Sequence, residues 1–321
     1  MITRVRAFTL LGGIILAALA ACAGAAAPPR TFVSASGNDA NPCSLTLPCR
    51  GFAAAVAAVT TGGEVVVLDS SGYGPFTVDR SVSVVAPAGV YAGISVSTGN
   101  GVTISTAGVD VALKGLTING IGGANGILMT NGASLRIENC TLTGFISIST
   151  AAINISAAAK VNISNTVVAN SNAGVVLDGG ASADVSRLQA VNNATFGILI
   201  GGTSNAVTTA VVSDSVASGS GSYGVAVLGQ GAAGAGGFGA CTTCSREMTL
   251  INSDVSNNAF GVASIGNAAT VNVARSTISN NGATGLEQAV AGSVLRSAQN
   301  NVVTNNGLPT SGTISTGGII Y

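Results

Sequence analysis

The sequence predicts an all-β chain wound as a solenoid of about ten coils, and three observations carry that reading. The first is a recurring unit. A glycine opens it at Gly126, Gly174, Gly197, Gly224, Gly261 and Gly285, with Ala152 standing in for one copy. Successive copies lie 22 to 27 residues apart, except for one longer interval between Gly224 and Gly261. The second is the period-2 pattern inside each unit, as in Leu135-Arg136-Ile137 and Val271-Asn272-Val273, which puts alternate side chains on opposite faces of a strand. The third is punctuation by Gly and Asn after bursts too short for amphipathic helices and rich in β-branched residues. One such coil cannot bury its apolar face alone, whereas stacked coils share a continuous core.

In register, the residue after the second burst is expected to point inward, giving Cys140, Thr166, Ser253 and Ser276. The next turn carries Asn170, Asn192, Asn257, Asn280 and Asn305, expected to stack as an internal asparagine ladder. An amide offers two donors and an acceptor, so stacked copies can bond along the axis.

The chain opens with Arg4 and Arg6 and an apolar stretch from Phe8 to Leu19, too short to span a bilayer permanently. Residues 1–22 are therefore expected to be an export signal. Leu19-Ala20-Ala21-Cys22 resembles the bacterial lipobox, which implies lipidation of Cys22 as the mature N-terminus. Ala23 in place of Asp implies, by the same resemblance, the outer membrane or cell surface; ordinary cleavage would instead leave a periplasmic or secreted protein. Residues 23–30, mostly Ala with two Pro, read as a tether. Residues 31–321 read as one solenoid domain, with an N-terminal cap over 31–60 and a Gly-rich insertion over 229–247.

Composition narrows the partners. The chain is 7% charged and 47% hydrophobic, with no His and no Trp. Losing Arg4 and Arg6 leaves the 12 acids in excess of the bases by two, so no basic face exists for nucleic acid. No run after residue 22 is apolar enough to cross a membrane as a helix, and the hydrophobicity belongs to the stacked core.

Residues Thr31-Phe32-Val33-Ser34, Gly37-Asn38-Asp39-Ala40-Asn41-Pro42-Cys43, Pro48-Cys49-Arg50-Gly51-Phe52, Gly62-Gly63-Glu64-Val65 and Gly72-Tyr73-Gly74 follow in order. Together they resemble the N-terminal signature of bacterial right-handed parallel β-helix proteins of the pectin-lyase-like superfamily. The resemblance implies a right-handed parallel β-helix; it implies no single activity, because lyases, hydrolases, epimerases and non-enzymatic surface proteins share the fold. The residues read on their own agree. Phe52 to Val59 is the one strong helix candidate, a natural cover for the open N-terminal end. Asn38, Asp39 and Asn41 read as an Asx turn rather than a cation site.

Cys43 with Cys49 and Cys241 with Cys244 read as local disulfides of an exported protein. A single C-x-x-C without histidine is weak for zinc. Cys140 reads as a buried small residue. Gly229-Gln230-Gly231-Ala232-Ala233-Gly234 matches a dinucleotide fingerprint, but the Ala- and Gly-rich run after it cannot hold the helix that motif needs.

Without histidine, only carboxylate or arginine chemistry remains. Arg136, Glu138, Asp184 and Ser186 are expected to face outward, and Arg187 and Asp214 to be neighbours one coil apart. Asp178, Asp184, Arg187 and Asp214 form the only local concentration of candidate catalytic groups, and a lyase built on them would need calcium. Otherwise no metal or cofactor is expected. Their plainer reading is a surface ion pair. Three function classes follow: a non-enzymatic envelope protein contacting polysaccharide or a neighbouring surface, anchored through its N-terminal lipid; a polysaccharide lyase or hydrolase; and a structural spacer. With few acids, no Trp and scattered tyrosines, the first is expected.

Overall fold

A computed structural model describes residues 27–232, 236–239 and 241–316. The expected signal and Cys22 lie outside the described residues. Each coil gives one strand to each of three parallel sheets. The first sheet has 12 strands, from Arg30–Val33 to Ile314–Ser315. The second and third have 10 each, starting at Ser71–Gly72 and Phe76–Val78. Every neighbouring pair within these sheets is parallel and in register, as in Leu135 beside Val161 and Ile137 beside Ile163.

The alternation written in the sequence sets which side faces the core. In Lys160–Ser164, Val161 and Ile163 are buried while Lys160 is exposed. The recurrent glycine is the second residue of the third-sheet strands from Asn125–Met129 to Thr284–Gln288, Ala152 excepted, where a side chain would crowd the next coil. A Cβ at Gly174 would lie 2.5 Å from the carbonyl oxygen of Gly197, and one at Gly197 2.6 Å from that of Gly224. The need is for close approach of stacked backbones, not for an unusual dihedral.

Between the first and second sheets the chain turns through one left-handed residue: Asn139, Asn165, Arg187, Asp214, Asn252 and Arg275 have φ near 50°. The residue after each is buried, and several of these form a hydroxyl ladder. Backbone N–H groups of Leu188, Ser215 and Ser253 donate to the Oγ of Ser215, Ser253 and Ser276 at 3.1, 3.2 and 3.2 Å.

The corner between the second and third sheets corrects the expected ladder. Asn170, Asn192, Asn257, Asn280 and Asn305 are themselves the left-handed residues, with φ of 50° to 58°, and all are exposed. The internal ladder is made one residue later, by Asn193, Asn258, Asn281 and Asn306 with Ser171 and Ser220. Asn258 N–H donates to Asn281 Oδ1 at 3.0 Å, and Asn281 N–H to Asn306 Oδ1 at 2.9 Å. The side-chain amides also donate inward, Asn281 Nδ2 to Val255 O at 3.0 Å. The reason is conformational: a left-handed residue reverses the strand alternation, so it shows its own side chain to solvent and turns its successor inward. Asparagine suits both positions, since it tolerates the left-handed region and satisfies buried amides.

The N-terminal end is covered by the helix Phe52–Ala58, with Phe52, Ala55 and Val56 buried. Phe52 packs on Tyr73 and Phe76 with ring centroids 5.2 and 5.3 Å apart. The cap region contributes more than a cover. Arg30–Val33 pairs with Gly63–Val67, so the first sheet begins before the helix. The end of the expected tether is docked: Thr60 N–H donates to Pro28 O and Glu64 N–H to Pro29 O, both at 2.9 Å. Asn38 forms the expected Asx turn, accepting from Ala40 N–H at 3.0 Å. Both cysteine pairs are disulfides, Cys43–Cys49 and Cys241–Cys244, and Cys140 is a buried free thiol whose pKa is pushed up to about 11 by burial. Disulfides of this kind place the protein outside the cytoplasm.

Candidate functional site

The outer face of the first sheet is the open, polar one. Its outward columns run through Arg136, Asn162 and Asp184, and through Ser134, Lys160 and Ser182, one residue per coil. Small side chains between the long ones leave a groove of about 600 Å³, lined by Arg136, Lys160, Asn162, Asp184 and Val211 among others. The outward positions of Arg136, Glu138, Asp184 and Ser186 agree with the alternation. Glu138 holds the nearby cations loosely, with Arg136 at 3.7 Å and Lys114 at 3.8 Å, both exposed pairs of small energetic weight.

The four candidate groups of the sequence do not converge. Asp184 lies mid-strand on this face, within Ser182–Ser186. Arg187 and Asp214 sit on the adjoining corner, and the pairing of Ser186 with Ser213 makes them neighbours along the axis. Yet they form no ion pair. Arg187 Nε donates instead to Asn165 Oδ1 at 2.6 Å, one coil towards the N-terminus, and Asp214 accepts from Asn252 Nδ2, one coil towards the C-terminus. They line a separate groove of about 410 Å³.

Asp178 is elsewhere altogether. It follows the third-sheet strand Ala173–Leu177, is 6% exposed, and is bound to Arg246 at 2.7 Å. Arg246 is fully buried, sharing an inward column with Thr208 and Ala269. Its guanidinium also donates to the carbonyls of Leu228, Gly202 and Ser204 at 2.6, 2.9 and 3.1 Å. Burial pulls its pKa down while Asp178 pulls it up. Ser204 N–H completes the cage on Asp178 Oδ2 at 3.1 Å. The sequence reading missed Arg246 because it lies at the end of the insertion; the signal available was a lone cation at an otherwise inward strand position. Strand pairing starts at Ser245, so the insertion ends at 244 and not 247.

That insertion is the other feature with chemical content. It leaves the strand Tyr223–Leu228 and folds back across the outer face of the third sheet as a strap. Ser149 N–H and Oγ donate to Gly236 O and Gly237 O at 3.0 Å each, and Asn172 Nδ2 donates to Gly236 O at 3.1 Å. Phe238 of the strap packs with Ala173, Val176, Phe196 and Leu199 of the sheet into a second apolar cluster. Phe196, Tyr223 and Phe260 stack in register along the axis with centroids 5.8 and 4.8 Å apart. The parallel column Leu199–Ala226–Ala263 leads to Glu287, whose pKa burial raises and whose Oε2 is buried without a partner. The Tyr223 hydroxyl is pushed up to about 12 by burial and by Glu287.

Among the described residues, no three acids or cysteines are grouped so as to hold a metal ion, so the donor set does not fit calcium at Asp178, Asp184 and Asp214. No described helix is long and apolar enough to cross a membrane.

A family model described as "right handed beta helix region" matches residues 92–235. No curated protein matches the sequence. Among solved structures, a pectate lyase, Pel9A, superposes with a TM-score of 0.58 at 16% identity, covering 88% of this chain and 78% of that one. A rhamnogalacturonan lyase matches with a TM-score of 0.45 at 13% identity, over 86% and 73% of the two chains. The Dettilon tailspike protein gives 0.47 at 11% identity, over 87% and 68%. At 16% identity the likeness to the pectate lyase concerns the fold alone, and it agrees with the family model and the strand topology. The chain folds as a right-handed parallel β-helix, the architecture that the family model describes over residues 92–235 and that the pectate lyase shares.

Proposed function

We propose that this is an exported, non-catalytic β-helix protein of the cell envelope, anchored through a lipid on Cys22, whose first-sheet outer face contacts polysaccharide or a neighbouring surface. The observation that carries it is the dispersal of the candidate groups. Asp178 is consumed by Arg246, and Asp184, Arg187 and Asp214 line two separate grooves. A hydrolase needs two carboxyls about 5 to 9.5 Å apart across the scissile bond, and a calcium-dependent lyase needs clustered acids beside a base. A groove with mixed charges and small hydroxyl and amide side chains suits weak contact with a polymer better than bond cleavage.

The decisive experiment incubates the exported protein with uronate and neutral polysaccharides, with and without calcium. Binding without any new reducing end or unsaturated product is expected. Unsaturated product that disappears in Asp214→Asn and Arg187→Ala would overturn the reading in favour of a lyase. The anchor is tested separately: Cys22→Ser is expected to release the protein from membranes, and a wild-type product starting beyond residue 24 without lipid would contradict it.

A further inference from the structure

The outer face of the second sheet differs from the other two. The first sheet carries the mixed charges of the open groove, and the third is crossed by the strap. On the second, eight strands, from Leu116–Gly120 to Val302–Thr304, each turn two side chains outward. These are Thr, Ser, Val, Ala, Asn or Gln, with Asp254 the one charged residue and no aromatic ring among them. All are exposed or half-buried except Ser256 and Ser279, so among the described residues nothing covers the face. Tyr91, its ring set against Gly93, bounds it at one end, and the last strand of the sheet bounds it at the other.

The middle of this face is complementary to itself. Gln189 is exposed and stands between the shorter, half-buried Val167 and Val216, and Arg187 and Asp214 lie exposed on the corner beside them. Four of the eight strands lie on either side of the step from Gln189 to Val216. A two-fold axis along the strand direction through that step reverses the rod and lays the face on its own copy. Arg187 then meets the partner's Asp214, Asp214 the partner's Arg187, and each Gln189 covers the partner's Val216. Within the chain Arg187 engages Asn165 through Nε alone, and Asp214 takes one hydrogen bond, from Asn252. The remaining guanidinium N–H groups and the second carboxylate oxygen are therefore available to a partner.

Size and charge select the occupant. Strands about 4.8 Å apart make the face roughly 34 Å long, and five residues per coil, the corner residues included, make it roughly 16 Å wide. Two copies then bury about 1,100 Å² together, just above the roughly 1,000 Å² at which specific association begins. A nearly neutral face without rings or clustered charge offers little grip to nucleic acid or to a sugar polymer. Small side chains, by contrast, let two sheets pack face to face about 10 Å apart. We propose that this face docks a second copy of the chain, the two rods antiparallel about the axis that passes between Arg187 and Asp214. The first-sheet groove stays open in such a pair, so the inference goes beyond the function proposed above and does not rest on it.

The test is sedimentation equilibrium of the exported protein in density-matched detergent, which reports protein mass with or without a lipid on Cys22. Arg187→Asp and Asp214→Arg each set like charges against one another twice, and both residue types already occupy this left-handed corner. Val191→Lys places a charge on the face itself and serves if the corner variants fail to fold. Thermal midpoints report folding of each. The unmodified protein is expected to dimerise with a Kd between about 1 and 100 µM. Each single variant is expected to weaken the dimer about tenfold or more, and Arg187→Asp combined with Asp214→Arg to restore it to within about threefold. Lys160→Ala, in the first-sheet groove, is expected to leave the mass unchanged. The proposal is overturned by a protein that stays monomeric over that range, by an assembly larger than two, or by a dimer that the folded variants leave intact. A double reversal that associates no better than either single one overturns it as well.

Discussion

The first and third sheets are built from the same coils, yet their outer faces differ in kind. On the first, Ser182–Ser186 alternates exposed and buried, and polar side chains meet solvent. On the third, Ala173–Leu177 and Phe196–Ile200 are buried at all five positions. The strap makes the difference: one glycine-rich insertion covers an apolar face that the solenoid would otherwise expose. A repeat therefore dictates one core, while a single irregular loop decides whether a second one exists.

Asp178 and Asp184 offer the sharpest way to break this comparison. Asp178→Asn leaves Arg246 buried and unpaired, and is expected to destabilise by about 3–5 kcal/mol. Asp184→Asn, on the exposed face, is expected to change stability by less than about 0.5 kcal/mol. Denaturant unfolding of the two variants checks this, and equal effects would mean that the strap corner is no more buried than the open face.

Next in size is the corner ladder. Asn281→Ala removes the Oδ1 acceptor from the Asn258 backbone N–H and Nδ2, and an expected loss of about 1–3 kcal/mol follows from the orphaned buried groups. Asn280→Gly changes only an exposed left-handed residue and is expected to be close to neutral. The two adjacent substitutions, compared by thermal unfolding, distinguish the inner from the outer asparagine.

The smallest expected effect is pH-dependent. Burial raises the pKa of Glu287 above its ordinary value. A carboxyl raised in this way favours the fold below its unfolded pKa, and that contribution is lost as pH rises through the folded value. Glu287→Gln is therefore expected to be more stable than the unmodified protein at neutral pH, with the advantage shrinking on acidification. Thermal midpoints measured across that range check the sign; an advantage that grows on acidification would contradict it.

The residues explain where reading the sequence succeeded and where it slipped. Val161 and Ile163 could be assigned to the core because strand alternation is a local property. The Asn280-Asn281 pair could not be resolved by counting, because one left-handed residue shifts every later position to the opposite face. The pairs themselves, Asn192-Asn193, Asn257-Asn258, Asn280-Asn281 and Asn305-Asn306, were visible; that the second member does the bonding required knowing the φ of the first. Arg187 and Asp214 were rightly stacked, but each side chain found a partner in the opposite direction.

By itself, then, the amino-acid order determined the solenoid, its helix-capped end, the inward hydroxyl column and the two cysteine pairs. All of these rest on spacing within a coil or between neighbouring coils. Only the tertiary structure decided that Asp178 belongs to Arg246, 68 residues away, and that the insertion lies across the third sheet to reach Ser149, 88 residues from Gly237. A repeat constrains what stacks upon what, because each coil contacts the next in a fixed register. Where a loop outside the repeat comes to rest depends on which apolar face and which buried charge remain unsatisfied once the coils have stacked.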